Sequence, residues 1–148
     1  LGSDEESIAY AVAVMDRANQ LTNGFILRDT QEVAVLMFMR SHEEKGHISQ
    51  IPTGEGKTTI ASYAAAIKVL QGHKVDLITS NNVLGEAGVR ARQNFYGILG
   101  ISVSNNNPED KYVKGPRLCY AADVVYGSIG NFQFDYLRHS FEGLETFG

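Results

Sequence analysis

The stretch QIPTGEGKTTIASYAAA, residues 50–66, decides how the rest of the chain is read. An apolar approach leads into two glycines around a glutamate, then a lysine and two threonines, then an alanine-rich segment of helical composition. Glycine lets a backbone turn with positive φ and leaves no side chain to hold an anion at a distance. The N–H groups freed by such a turn form a concave nest, and the amino terminus of a following helix adds partial positive charge. These are the parts of a phosphate-binding loop. Thr53, Gly54, Glu55, Gly56, Lys57 and Thr58 match the second half of the P-loop pattern, with Thr59 next in line, and Ile51 stands where the full pattern has its first glycine. In that pattern the lysine reaches the β- and γ-phosphates and the hydroxyl of the next residue, here Thr58, ligates Mg²⁺.

Outward from the loop, helices and strands alternate. Upstream, residues 4–23 read as a helix, with Ile8, Ala11, Met15 and Ala18 at helical spacing and acids in the first turn. The spacing predicts a second helix over 30–45, with Asp29 and Glu32 placed as a capping box and Gly46 as its stop. A short strand is expected over 47–51, directly before the loop, and a helix over 57–71, with Ile60, Ala64 and Ile67 on one face. Downstream, KVDLITS reads as a buried strand, 83–99 as a helix, ISVSN as a strand and 105–116 as a loop. A strand centred on 123–126 and a helix over 130–141 follow. This order predicts an α/β fold of three layers, with a mostly parallel sheet preceded by N-terminal helices. Ligands bind such sheets at the carboxyl ends of the strands, which is where the loop would sit.

Composition narrows the classes. The formal charge of −4 lacks the basic surplus of a nucleic-acid binder. No apolar run reaches the ~20 residues that span a bilayer, and the acidic start is unlike a secretory signal. Leu1-Gly2-Ser3 (residues 1–3) reads as the remnant of a cleaved tag. A single cysteine, Cys119, allows no internal disulfide and fits a reducing, cytoplasmic setting. His42, His47, His73 and His139 make no zinc-like spacing with Cys119.

Several longer segments resemble the SecA family, the ATP-driven motors of protein translocation. TGEGKT is that family's form of the P-loop, which also lacks the first glycine. YAADVVYGSIGNFQFDYLR, residues 120–138, resembles the SecA segment that runs from YAAD to FDYLR, and TSNNVL, residues 79–84, resembles TVNDYL. LRDTQ places Gln31 where the family has the adenine-reading glutamine, although the aromatic residue that usually precedes it is absent. Ile51 and Pro52 stand where the family usually has Met-Arg, one positive charge fewer near the phosphates.

The resemblance implies a RecA-like nucleotide-binding domain over 27–148, with residues 4–26 as an N-terminal helix ahead of it. It implies that Gln31 reads adenine, that Thr53, Gly54, Glu55, Gly56, Lys57 and Thr59 surround the phosphates of ATP or ADP, and that Thr58 holds Mg²⁺. For the parent protein it implies an unfolded preprotein and a membrane channel as partners, in a cytoplasmic or peripheral-membrane setting.

No apolar strand ending in Asp-Glu, the pair that holds Mg²⁺ and orients water in such motors, occurs in the chain. The expectation is therefore a motor fragment lacking the Walker B strand, with no identifiable catalytic residue, little hydrolysis of its own, and an open sheet edge that invites dimerisation. Asp135 and Arg138 of FDYLR read as an ion pair, Asp123 as satisfying backbone or a neighbouring loop, and Asn81 and Asn82 as turn residues. Two other readings stay open: a non-catalytic interaction module that has lost nucleotide, and a superfamily-two helicase-type module, which the acidic charge disfavours.

Overall fold

Asp4 starts the first helix. Its carboxylate accepts from the Ser7 amide at 2.9 Å, and Gly24, with φ of 79°, closes the same helix by donating to the Gln20 carbonyl. Both are ordinary solutions to the unpaired groups at helix ends. The computed structural model describes residue 2 and residues 4–40, 46–107 and 115–148. The chain divides into two compact units, Leu1–His73 and Lys74–Gly148.

The first unit is helical. Helices α1 (Glu5–Asn23), α2 (Asp29–Arg40) and α3 (Lys57–Leu70) pack against one another. The apolar stripe read from the sequence is the buried one: Ile8, Ala11, Met15 and Ala18 face inward with Val12. Tyr63 of α3 is fully buried, and its hydroxyl reaches the Met15 carbonyl at 3.2 Å and the Asp16 carboxylate at 2.9 Å. The same Asp16 oxygen accepts from the Leu27 amide at 3.0 Å. One carboxylate thereby joins α1, α3 and the link into α2.

Two expectations are corrected in this unit. Residues 47–51 do not form a strand: the segment is irregular, and Ile48 is 99% exposed. A single extended segment leaves its N–H and C=O groups unpaired unless a neighbour supplies a ladder. Here the Ile51 and Pro52 carbonyls are taken by a side chain instead. The capping box is also shifted by one residue. The Gln31 side chain, not that of Glu32, reaches back, accepting from the Arg28 amide at 3.0 Å. The last turn expected for α2, residues 41–45, and residues 108–114 of the expected loop lie outside the described residues.

The second unit is α/β. Strands β1 (Val75–Thr79), β2 (Val103–Asn105) and β3 (Val124–Ser128) form a parallel sheet in the order β1-β3-β2. Helix α4 (Asn82–Ile98) touches all three strands, and α5 (Ile129–Phe141) follows β3. Register places Val75, Leu77 and Thr79 beside Val124, Tyr126 and Ser128 on one face. That face meets α4, where Gly85 and Gly88 permit close approach: a Cβ on Gly88 would collide with the Tyr126 ring, and one on Gly85 would touch Gly127 at 3.5 Å. The hydroxyls of Tyr96 and Tyr126 then meet at 3.1 Å in the buried layer. The α/β class, the parallel sheet and the preceding helices thus stand as expected.

At the carboxyl ends of the strands, polar side chains fill the space. Asn81 caps α4 by accepting from the Leu84 amide at 2.9 Å, the turn role read for it. Fully buried Asn106 sits in the space that Gly127 leaves by having no side chain. Asp135, 1% exposed, is the centre of the cluster. It accepts from Arg117, from the Tyr120 hydroxyl at 2.6 Å and from Arg138 at 3.2 Å. Arg117 also donates to the Asn106 and Asn107 carbonyls at 3.2 Å each. The Asp135–Arg138 pair matches its reading. Arg117 and Asn106 join it only through the fold. Burial pushes the Tyr120 hydroxyl well above the ordinary tyrosine range, and its bond to Asp135 adds to the shift.

Removing one member of a buried ion pair leaves its partners uncompensated. Asp135→Ala is expected to cost about 3 kcal/mol, read as a lower urea midpoint, whereas Arg138→Gln costs well under half of that. At the other end of the sheet, Asp123 accepts from the Ser102 hydroxyl at 2.5 Å and the Ser102 amide at 2.8 Å, bonds that hold its carboxyl below the usual carboxylate range. A depressed acid contributes stability above its unfolded pKa of about 3.9 and loses it as pH falls through the lower folded value. Ser102→Ala should therefore reduce the acid dependence of the melting temperature below about pH 4 and leave the profile at neutral pH parallel to that of the parent chain.

Candidate phosphate-binding loop

The loop is built from two pieces of the first unit, the start of α2 and the turn into α3. Gly54 has φ of 87° and Gly56 has φ of 79°, so both adopt the left-handed conformation that glycine was expected to supply. Gly56 is the N-cap of α3 and, having no side chain, makes no side-chain cap. The Thr59 and Ile60 amides donate to the Gly56 carbonyl, and the Glu55 amide to the Pro52 carbonyl at 3.3 Å. Among the described residues the amides of Lys57 and Thr58 have no such partner, so the first turn of α3 presents unpaired donors. The Thr58 side chain is exposed on that turn, while Thr59 is buried at its base.

Lys57 turns back over the loop. Its ammonium donates to the Ile51 carbonyl at 3.2 Å and the Pro52 carbonyl at 3.1 Å. An ammonium has three donors, so one stays available to an anion. Two carbonyls therefore hold the charge at the start of the loop.

Gln31 is brought to the loop. It is 7% exposed, and its amide nitrogen donates to the Glu55 carbonyl at 2.9 Å while its oxygen caps the Arg28 amide. The amide occupies the space where a Cβ on Gly56 would lie. The Arg28 guanidinium pairs with the Glu55 carboxylate at 2.7 Å. Sequence reasoning placed Gln31 and the glycines in one site but missed Arg28. The available signal was the local one: a glutamine three residues after Arg28, at the spacing of a reciprocal cap.

Two other groups carry less. Among the described residues, no three His, Cys, Asp or Glu side chains cluster as metal ligands, and no helix is long and apolar enough to cross a membrane. Burial raises the pKa of the Cys119 thiol, which makes the thiolate scarce.

A turn with two positive-φ glycines opens a helix and carries a lysine, and the chain also folds a parallel sheet with helices, which sets the class as α/β. Comparison with known proteins then fixes the family. The model of the SecA DEAD-like domain matches residues 2–145, and the chain belongs to that family. It is 34% identical over 128 residues to the protein translocase subunit SecA of Azoarcus sp. (strain BH72), covering 86% of this chain and 13% of that protein. It is likewise 34% identical over 129 residues to the protein translocase subunit SecA 2 of Bacillus thuringiensis (strain Al Hakam), covering 86% and 16%. Against the SecA subunit of Thermodesulfovibrio yellowstonii the identity is 32% over 151 residues, covering 90% and 17%. The chain therefore spans less than a fifth of the length of these relatives.

The two loop glycines differ in what surrounds them. An added Cβ on Gly54 meets nothing within 4 Å, whereas on Gly56 it meets the Gln31 amide. Gly54→Ala should cost only the strain of a positive φ, about 1 kcal/mol. Gly56→Ala adds the displacement of Gln31 and should lower the melting temperature further. Thermal unfolding of the two variants side by side checks this order.

Proposed function

We propose that the chain is the nucleotide-binding part of a SecA-type translocase motor and binds Mg-ATP and Mg-ADP at the loop formed by residues 53–59. The observation that carries this reading is the opening of α3, where two left-handed glycines, the free amides of Lys57 and Thr58, and the Lys57 ammonium share one turn. Phosphate oxygens fit such a turn because N–H dipoles and one ammonium meet charge without a competing side chain. Lys57 would hold the terminal phosphates, and Thr53, Gly54, Glu55, Gly56 and Thr59 would shape the cradle with backbone groups.

Thr58 would offer its exposed hydroxyl to Mg²⁺. When bound there, the ion would supply positive charge against that of the phosphates. Gln31 keeps one amide hydrogen and one lone pair after its two bonds to Arg28 and Glu55, enough to meet an adenine edge. Nucleotide binding is the activity assigned to this chain. In the parent protein, transport of preproteins through a membrane channel, from a cytoplasmic or peripheral position, is the process this binding would serve.

Titration calorimetry with Mg-ATP and Mg-ADP tests the reading. The parent chain should bind both, and Lys57→Ala should weaken Mg-ATP by about tenfold or more, the value of one charge-assisted contact. Thr58→Val should remove most of the difference between titrations with Mg²⁺ and with EDTA. Equal affinity in the parent and Lys57→Ala chains rules the assignment out.

A further inference from the structure

Glu55 is an unexpected residue for an anion site, because it places a carboxylate between the two glycines that shape the cradle. Two Cα–Cα steps of about 3.8 Å put it no more than about 7.6 Å from Lys57 along the backbone. An unpaired carboxylate there would repel phosphates held at Lys57 over the Debye length of about 8 Å at physiological ionic strength. Arg28 is the group that meets this charge, at 2.7 Å.

We propose that Arg28 is a positioning and charge-balancing residue of the phosphate loop: by pairing with Glu55 it holds the carboxylate away from the cradle and cancels its repulsion of nucleotide phosphates. The inference rests on the nucleotide-binding reading above and adds to it a residue and an electrostatic device. The geometry separates this role from support of the fold. Loop shape is fixed by other contacts, namely the Gln31 amide on the Glu55 carbonyl, the Gln31 cap on the Arg28 amide, and the Gly56 space that the Gln31 side chain fills. The two hydrogen bonds use backbone atoms of Arg28 and Glu55, and the third contact uses neither residue, so all three survive exchange of either side chain. The ion pair is solvent-exposed, with 58% of the Arg28 side chain and 45% of that of Glu55 open. Pairs of this kind contribute little to folding. What the pair does change is the net charge beside the cradle, from negative to neutral.

The test is a charge cycle read by calorimetry at low and high salt. The variants are Arg28→Gln, Glu55→Gln, the double exchange and Arg28→Lys. Arg28→Gln should weaken Mg-ATP by about fivefold at low ionic strength. Mg-ADP, which keeps less negative charge, should weaken less, and 0.5 M salt should remove most of the loss, because the Debye length falls from about 8 Å at 0.15 M towards about 3 Å at 1 M. Glu55→Gln, which leaves the Arg28 charge unopposed beside the cradle, should bind Mg-ATP more tightly than the parent at low ionic strength. The double exchange should return to within about twofold of the parent, and Arg28→Lys should keep most of the affinity. All variants should melt within a degree or two of the parent chain.

Unchanged affinity in Arg28→Gln overturns the proposal. So does equal loss in Arg28→Gln and in the double exchange, since a guanidinium that touches nucleotide directly is not rescued by removing Glu55. If Lys57→Ala loses binding while the Arg28 variants do not, only this inference fails. If Lys57→Ala binds like the parent, the nucleotide assignment fails and takes this one with it.

Discussion

One side-chain amide holds the candidate site together. Gln31 accepts from the Arg28 amide with its oxygen and donates to the Glu55 carbonyl with its nitrogen, so it ties the first turn of α2 to the turn that opens α3. It can do so only because Gly56 has no Cβ in the space the amide occupies. The glycine thus has two independent reasons to be there: its positive φ and this close approach. With the amide buried and both ends bonded, one side chain ties the loop to the start of α2, and the exposed Arg28–Glu55 pair adds a second link. Lys57 is then free to place its charge over the turn, resting on the Ile51 and Pro52 carbonyls.

The second unit has a similar hub of opposite character. Asp135 is a buried charge satisfied by Arg117, Arg138 and the Tyr120 hydroxyl. Charges this deep cost desolvation energy, and the arrangement is stable only because every strong acceptor site finds a donor. Arg117 carries the pairing onward to the Asn106 and Asn107 carbonyls, and Asn131 reaches Asn82 at 3.0 Å and the Asn106 carbonyl at 3.2 Å. The ends of β1, β2 and β3 are therefore cross-linked by polar groups, whereas the α4 face of the sheet is held by apolar and aromatic packing. The segment that most resembles SecA, residues 120–138, contains Tyr120, Asn131, Asp135 and Arg138 of this cluster.

Much of this was legible from the chain alone, where the signal was local. The helices α1, α3, α4 and α5 lie within a residue or two of their expected spans, because apolar period, caps and glycine stops are written in neighbouring residues. The two loop glycines took the expected conformations, since a glycine-rich turn into a helix has few alternatives. The strand over 47–51 failed for the opposite reason. A strand exists only with a partner, and a short apolar run carries no record of whether one will come. The shift from Asp29–Glu32 to Arg28–Gln31 is a related case: two overlapping caps had similar spacing, and Gln31 was chosen by what lay on its far side, the Glu55 carbonyl.

Residue identity at short spacing was enough for the class of fold, the family and the place of the glycine turn that opens α3. The tertiary structure alone decided that Arg28 meets Glu55, 27 residues away, and that Arg117 meets Asp135, 18 residues away. A charge on a long side chain can serve many partners equally well in an extended chain. Which one it takes is set by the packing that brings two backbones together, and no pattern of neighbours encodes that meeting.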